Sequence, residues 1–429
     1  MLMRLALRAL SLGAKFALTL AIARELGYAA MAQYGMAVAA AVIGTKMLGL
    51  GFSAECNRRL ASIPAAALGD IGRLAGVHAA CYGLLAAGGT LLWRYGGVAP
   101  PDYFTAPIAV VIAVLVMVEH QAFEVSGYLF ALHQTRAASW LMFARNGLWA
   151  LLAIAGLASG VIGSMLAVLM LWICGDVLVI AIGWYLILGL RGCSSAPVQP
   201  RRLPEARPAV RLLDVWRAGA AIYLAAILLA GLQYAERFLG AALLPAEELG
   251  RYVFLWAIAN AVQTLAHAAI ATTAGPALAR AAHQGGSGVR KLLGRQLAWT
   301  LAATLTMAGA LWLACDAILM MAGKAASQDD GLIFGILLVS FVLRSVADIA
   351  WAAAIALELR GITLLGMTLV ALAGVPLAWM AVHTAGVTGA ALAHGIVSLA
   401  VAGWLGVTLY RRLAGIGLAR PAAADRGVS

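Results

Sequence analysis

The chain has 429 residues, 63% of them apolar and 11% charged, and 30 Lys+Arg stand against 18 Asp+Glu for a formal charge of +12. Soluble domains run at roughly 45–50% apolar and about 25% charged, so this chain has too few charges to coat a water-facing surface. A soluble enzyme and a disordered protein are both excluded. The basic surplus fits either nucleic acid or an anionic surface, and the positions of the cations decide between them.

A bilayer core of ~30 Å needs about 20 apolar residues per helix. The first such run, 5–25, follows Arg4 and Arg8 and precedes Ala30-Met31-Ala32, which imitates a cleaved leader; Lys15 inside the run and Arg24-Glu25 behind it instead make it an uncleaved first span. Further runs follow at 34–56, 71–94, 104–132, 136–158, 161–190, 212–243, 248–281, 291–322, 331–357, 361–382 and 387–411, twelve in all. The sizeable polar break is 191–211, which holds Arg191, Arg201, Arg202, Arg207 and Arg211 among Pro197, Pro200, Pro204 and Pro208. Proline lacks the amide donor and restrains its neighbour, so this segment reads as a linker. The expected architecture is an all-α polytopic membrane protein: an N-lobe of helices 1–6 (1–190), a linker (191–211), a C-lobe of helices 7–12 (212–414) and a tail (415–429). Pro376 is expected to kink helix 11, and Pro276 to bend or end helix 8.

Placing both termini in the cytoplasm puts 22 of the 30 cations on that side, five outside (Arg24, Arg94, Arg237, Arg251, Lys324) and three, Lys15, Lys46 and Arg344, within the spans. That is the positive-inside asymmetry, and it accounts for the basic surplus without a nucleic-acid partner. The halves also echo one another: Arg24 with Leu26-Gly27 and Tyr34 in the first, Arg237 with Leu249-Gly250 and Tyr252 in the second. Six helices per half would make them parallel repeats. The five cysteines are scattered with no Cys-x-x-Cys, and no phosphate loop, His-Glu-x-x-His or paired metal ligands occur. These features favour a carrier over an enzyme and imply no cofactor or metal.

Ionisable groups at mid-bilayer cost about 2.5–3.5 kcal/mol on the insertion scale, so each wants a partner, an aqueous cavity or a task. Helices 4 and 5 turn near Gln134–Thr135, which puts Glu124 and Arg145 at one depth and able to pair. His120 and Glu124 share a helical face, with Glu119 beside them. This group is either a locked ion pair or a proton or cation relay. Lys15 and Lys46 are level across the turn joining helices 1 and 2, where like charges imply a shared aqueous cavity or an anionic ligand, unless they snorkel or pair with Glu55. Arg344 lies mid-helix 10 with Asp348 one turn on, as an intrahelical pair or as a substrate cation restrained by that acid. Asp176 in helix 6 and Asp316 in helix 9 are candidate titrating groups, and His267 in helix 8 reads as a hydrogen-bonded core histidine.

Three stretches carry a resemblance. They are Arg24-Glu25-Leu26-Gly27 with Gln33-Tyr34-Gly35, Leu48 to Ser53 and Arg58-Arg59-Leu60; Glu119-His120 with Glu124, Ala131-Leu132, Arg145, Gly147 and Trp149; and Tyr234 to Phe238 with Leu249 to Tyr252. Together, over about a third of the chain, these resemble the bacterial O-antigen and exopolysaccharide flippases of the multidrug/oligosaccharidyl-lipid/polysaccharide exporter superfamily. The sequence departs from the commoner pattern in having Tyr28 where many relatives have proline and Glu236 where many have aspartate. The resemblance implies two six-helix lobes in a V around a cationic cavity, in the bacterial inner membrane. It implies alternating-access movement of an undecaprenyl-diphosphate-linked oligosaccharide, with membrane lipids and polysaccharide polymerase or assembly proteins as partners. Lys15, Lys46 and Arg344 fit such a cavity by type and depth. A multidrug or small-solute antiporter of the same superfamily would want an acid-dominated site. A non-transporting partner of a polysaccharide synthase would want every buried charge paired.

Overall fold

The computed structural model describes residues 2–52, 56–57, 60–61, 64–95, 103–193, 212–284 and 288–418. The protein is all-helical, with no strand among these residues. Its helices are α1 (Leu2–Glu25), α2 (Gly27–Leu48), α3 (Pro64–Tyr95), α4 (Ala106–Ala131), α5 (Thr135–Ala158), α6 (Met165–Cys193) and α7 (Leu212–Leu243). In α8, Ala246–Ala259 and Ala261–Ala266 are followed by a wide π turn, His267–Ala271, and by Thr272–His283. Then come α9 (Val289–Leu313), a short continuation Cys315–Met321, and α10 (Asp330–Ala356). Arg360–Leu418 is continuous except at Gly386 (φ 57°, ψ −132°), which divides it into α11 and α12. Among the described residues eleven helices are long and apolar enough to cross a membrane, and the last is 55 residues long. At 1.5 Å per residue that is ~80 Å, far more than one bilayer crossing, so the break at Gly386 supplies the twelfth span.

Local chemistry sets several boundaries. α1 and α2 are separated only by Leu26 because Gly27 takes φ 84°, a conformation closed to most side chains, and so helix 2 begins earlier than the expected 34. Pro64 opens α3, where its missing amide is harmless. Pro276 lies inside helical backbone, and the irregularity falls just before it in the π turn. The break between the last two spans falls at Gly386, in the expected gap between 382 and 387, and Pro376 lies inside helical backbone of α11. Of the expected linker, 191–193 complete α6; 194–211 lie outside the described residues, as do Glu55, Arg58, Arg59 and 419–429.

The chain divides into two compact units, Met1–Tyr223 and Leu224–Ser429, with the division inside α7. In unit 1, α4 packs against α2 and α6, and α1 lies along α5. In unit 2, α10 is the central helix, packed by α8, α9 and the α11–α12 pair. Both units are inverted with respect to a water-soluble protein. Leu313 and Leu84 are 87% and 73% exposed, whereas His120, Asp176, Ser340 and Ser398 are 0% exposed. Such an outer surface suits lipid, and the protein is a multi-pass integral membrane protein. Lipid removes the hydrophobic drive between helices, leaving close approach and interhelical hydrogen bonds to hold them. The buried small residues of α2, Ala30, Ala32, Gly35, Ala37, Ala39 and Ala41, lie on more than one side of the helix and allow such approach.

Candidate functional sites in the two units

Unit 1 buries a charged cluster where α1, α4, α5 and α6 meet. A π turn in α5, Ala144–Leu148, carries Arg145 and Asn146. Such wide turns recur at functional sites. The indole N–H of Trp149 donates to the Arg145 carbonyl at 2.8 Å, satisfying backbone that the widened turn exposes. The Arg145 guanidinium donates to Glu119 Oε1, and the Trp172 indole donates to Glu119 Oε2 at 3.3 Å. Lys15 donates to Asn146 Oδ1 at 3.0 Å and stands 5.9 Å from the Trp172 ring. Trp172 itself stacks on Trp149 with centroids 4.8 Å apart. Asp176, fully buried, faces the Glu119 carboxyl, and among the described residues no N–H group donates to its oxygens.

The expected Glu124–Arg145 pair is therefore replaced by Glu119–Arg145. Depth along the hairpin was the wrong criterion. Residues 119 and 124 are five apart, ~140° round a helix, so only one of them faces α5. Glu124 instead looks toward α3, with His120 Nε2 3.8 Å from Glu124 Oε1 as expected for that shared face. Lys15 and Lys46 are not brought together in one cluster. Lys46 is exposed in the last turn of α2 and, among the described residues, has no ion pair or hydrogen bond. A cation there meets the negative end of the helix dipole.

Unit 2 gathers its polar groups around α10. Arg344 is 2% exposed and its Nε–H donates to Ser398 Oγ on α12 at 3.0 Å. The Ser398 hydroxyl donates to the His394 carbonyl (2.7 Å), and the Ser340 hydroxyl to Ser398 Oγ (2.8 Å). That leaves His394 Nδ1–H to donate to Ser340 Oγ at 2.5 Å. Arg344 Nη2 is buried with no hydrogen-bond partner, and no carboxylate lies within ion-pair distance of it among the described residues.

The expected Arg344–Asp348 intrahelical pair does not form, because each side chain finds a partner on a different neighbouring helix. Asp348 Oδ2 accepts from Gln263 Nε2 at 3.0 Å and lies 3.4 Å from His267 Nδ1, both on α8. His267, expected in the core, sits on the π turn with its side chain 53% exposed. Beside them Arg237 is held between the Trp256 ring (3.8 Å to its centroid) and the Tyr234 ring (4.9 Å), and Tyr252 donates to Glu236 at 3.1 Å. Asp316 is exposed in the short helix Cys315–Met321. At one end of the unit Arg251 joins Asp330 at 2.5 Å and Ser327 at 2.5 Å, tying α8 to the start of α10.

Sequence reasoning missed Asn146, Trp172, Ser340, His394 and Ser398. One signal was available: Ser340/Arg344 and His394/Ser398 are both polar pairs at (i, i+4) inside apolar runs, so each stripes one helical face.

No family model and no curated protein matches the sequence. Solved structures do match. An inward-facing multidrug resistance MATE family transporter of the MOP superfamily superposes with a TM-score of 0.72 at 14% identity, covering 98% of this chain and 99% of the other. The lipid II flippase MurJ in an inward closed conformation gives 0.63 at 12% identity, covering 97% and 89%. A MOP superfamily transporter from Pyrococcus furiosus, described as having a binding pocket of reverse polarity, gives 0.63 at 14%, covering 97% and 96%. The protein thus carries, over nearly its whole length, the fold that MATE transporters and the MurJ flippase share.

Proposed function

We propose that the protein is a secondary transporter that flips an undecaprenyl-diphosphate-linked oligosaccharide across the bacterial inner membrane by alternating access, serving O-antigen or exopolysaccharide synthesis, with both termini cytoplasmic. The observation that carries this reading is Arg344: a mid-membrane guanidinium, 2% exposed, held by a serine hydroxyl with its Nη2 unpartnered. A buried cation without a counter-ion costs several kcal/mol, and an anionic headgroup is what would offset it. Arginine's planar fork suits a diphosphate. Lys15 serves as a second, weaker contact because Asn146 already takes one of its protons, and Lys46, exposed at a helix end, as an outlying one. The fold is one that hosts a lipid-linked substrate in MurJ, which makes the size of such a cargo reasonable.

A multidrug antiporter is the second reading, and Asp176 favours it: a fully buried carboxyl without a donor is the kind of group a cationic drug or a proton would seek. Deleting the gene and assaying the sidedness of lipid-linked oligosaccharide separates the two. Flippase function predicts accumulation in the cytoplasmic leaflet and loss of surface polysaccharide. Unchanged sidedness with raised sensitivity to cationic drugs supports the antiporter and refutes the flippase.

A further inference from the structure

Two acids of the unit 1 cluster meet where only one can be ionised. Glu119 accepts from the Arg145 guanidinium at Oε1 and from the Trp172 indole at Oε2 (3.3 Å), which makes it the ionised member. Asp176 on α6 is 0% exposed and lies within hydrogen-bonding reach of that carboxylate. Among the described residues no N–H group donates to either Asp176 oxygen. Two carboxylates facing each other in a dry interior do not both stay ionised. The contact is satisfied when Asp176 carries a proton and its O–H donates to Glu119.

Lys15 is the remaining cation of the cluster. It is partly exposed, its Nζ donates to Asn146 Oδ1 at 3.0 Å, and among the described residues no carboxylate lies within ion-pair distance of it. It is nevertheless close enough to feel both Glu119 and Asp176 through space. With Asp176 protonated, Lys15 and Arg145 stand against Glu119 alone and the cluster carries one net positive charge. With Asp176 ionised the cluster is neutral.

We propose that Asp176 is a proton-binding site that sets the affinity of Lys15 for an anion. On deprotonation the O–H bond of Asp176 breaks, its electron pair stays on the carboxylate, and the proton leaves on water as hydronium. The new carboxylate is repelled by Glu119 and becomes a counter-ion for Lys15, whose flexible side chain turns from Asn146 toward α6. On reprotonation Lys15 is released to the partly exposed side, where an anionic oxygen takes it. Proton and anion therefore bind together and do not compete. Each raises the affinity for the other by the same factor, about tenfold if the coupling is typical.

The groups that neighbouring helices bring to this site are few. α1 brings Lys15, α4 brings Glu119, and the π turn of α5 brings Arg145 and the neutral Asn146. α2 brings Tyr34, whose ring centroid is 6.4 Å from that of Trp172. His120 and Glu124 lie on the other face of α4, toward α3. Arg145 is committed to Glu119, which leaves Lys15 as the cation able to move. The proton site stands on this geometry alone; the choice of a diphosphate as the anion rests on the flippase reading.

The test uses the full chain in lipid nanodiscs, with infrared difference spectra recorded across a pH titration, without and with inorganic pyrophosphate. The wild type is expected to show a protonated-carboxyl band that is lost as pH rises and is missing from Asp176→Asn. That variant keeps the shape of the neutral acid, and its amide N–H can donate to Glu119, which guards against misfolding. Identical carboxyl titrations in the two proteins overturn the proposal. Pyrophosphate should hold the proton on Asp176 about tenfold more tightly, moving the wild-type midpoint roughly one pH unit toward alkali. The shift should vanish in Lys15→Gln, which keeps the band. An unmoved wild-type midpoint, a shift toward acid, or an equal shift in Lys15→Gln overturns the linkage. A linked midpoint in a protein that moves no lipid-linked oligosaccharide leaves the proton site standing and removes the flippase reading. Normal flipping with a midpoint indifferent to pyrophosphate does the reverse.

Discussion

The two units bury similar numbers of charges but treat them differently. In unit 1 the buried Arg145 guanidinium is compensated by Glu119, and Lys15 donates to the amide oxygen of Asn146 with the Trp172 ring alongside. In unit 2 Arg344 reaches only Ser398, while Asp348, one turn away, is held by Gln263 and His267. Both arrangements occur at mid-helix in apolar runs, so depth does not separate them. Between Arg145 and Arg344 the difference is whether a carboxylate has been supplied, whereas Arg251 in unit 2 has Asp330. A compensated pair can be a structural clamp, whereas an uncompensated guanidinium is the kind of group an anion would offset, and on the proposed function the two arginines do different work.

The comparison breaks most visibly at the clamp. Glu119→Ala leaves Arg145 buried and unpaired, and is expected to destabilise unit 1 by about 3–5 kcal/mol, read as a lowered melting temperature and a reduced folded yield. Replacing both partners with leucine should recover most of that loss. Retention of wild-type stability in Glu119→Ala would mean the pair is no clamp. Gly386→Ala comes next. Its φ of 57° with ψ of −132° is open to glycine alone, so alanine should cost on the order of 1–3 kcal/mol. Because Ser398 lies beyond that break on α12, transport should fall with stability. Arg344→Gln sharpens the contrast: it gives up one hydrogen bond, about 1 kcal/mol, but also removes an uncompensated buried charge, so stability should hold or rise, while transport should fall at least about tenfold, ~1.4 kcal/mol in the transport barrier. Lys46→Gln should be the mildest, within about 0.5 kcal/mol in stability, with a transport loss smaller than that of Lys15→Gln. A larger loss at Lys46 would return the outlying lysine to the centre of the substrate path.

Much of the fold was legible because membrane spans write themselves as uninterrupted apolar length. The expected runs at 104–132 and 331–357 differ by a few residues from α4 and α10. What length could not show was backbone irregularity. The π turns at Ala144–Leu148 and His267–Ala271 have no composition of their own, and Gly386 was one glycine among 47. For the sites, residue type and depth picked out Lys15, Glu119, His120, Glu124, Arg145, Asp176, Arg344 and Asp348. Pairing was not legible, because it depends on which way each helix is rotated about its axis. Glu119 and Glu124 differ by little in depth and by ~140° in direction, and only packing against α3 and α5 decides which acid meets Arg145.

On the proposed function Arg344 is an anion contact in a flippase of lipid-linked oligosaccharide. It is tested most directly in proteoliposomes loaded with a labelled polyprenyl-diphosphate oligosaccharide, by following exposure of the headgroup to a membrane-impermeant reagent. The wild type should exchange the headgroup between leaflets, Arg344→Lys should keep part of that rate, and Arg344→Gln, folded and inserted like the wild type, should lose at least about tenfold. Equal exchange by the wild type and Arg344→Gln would contradict it.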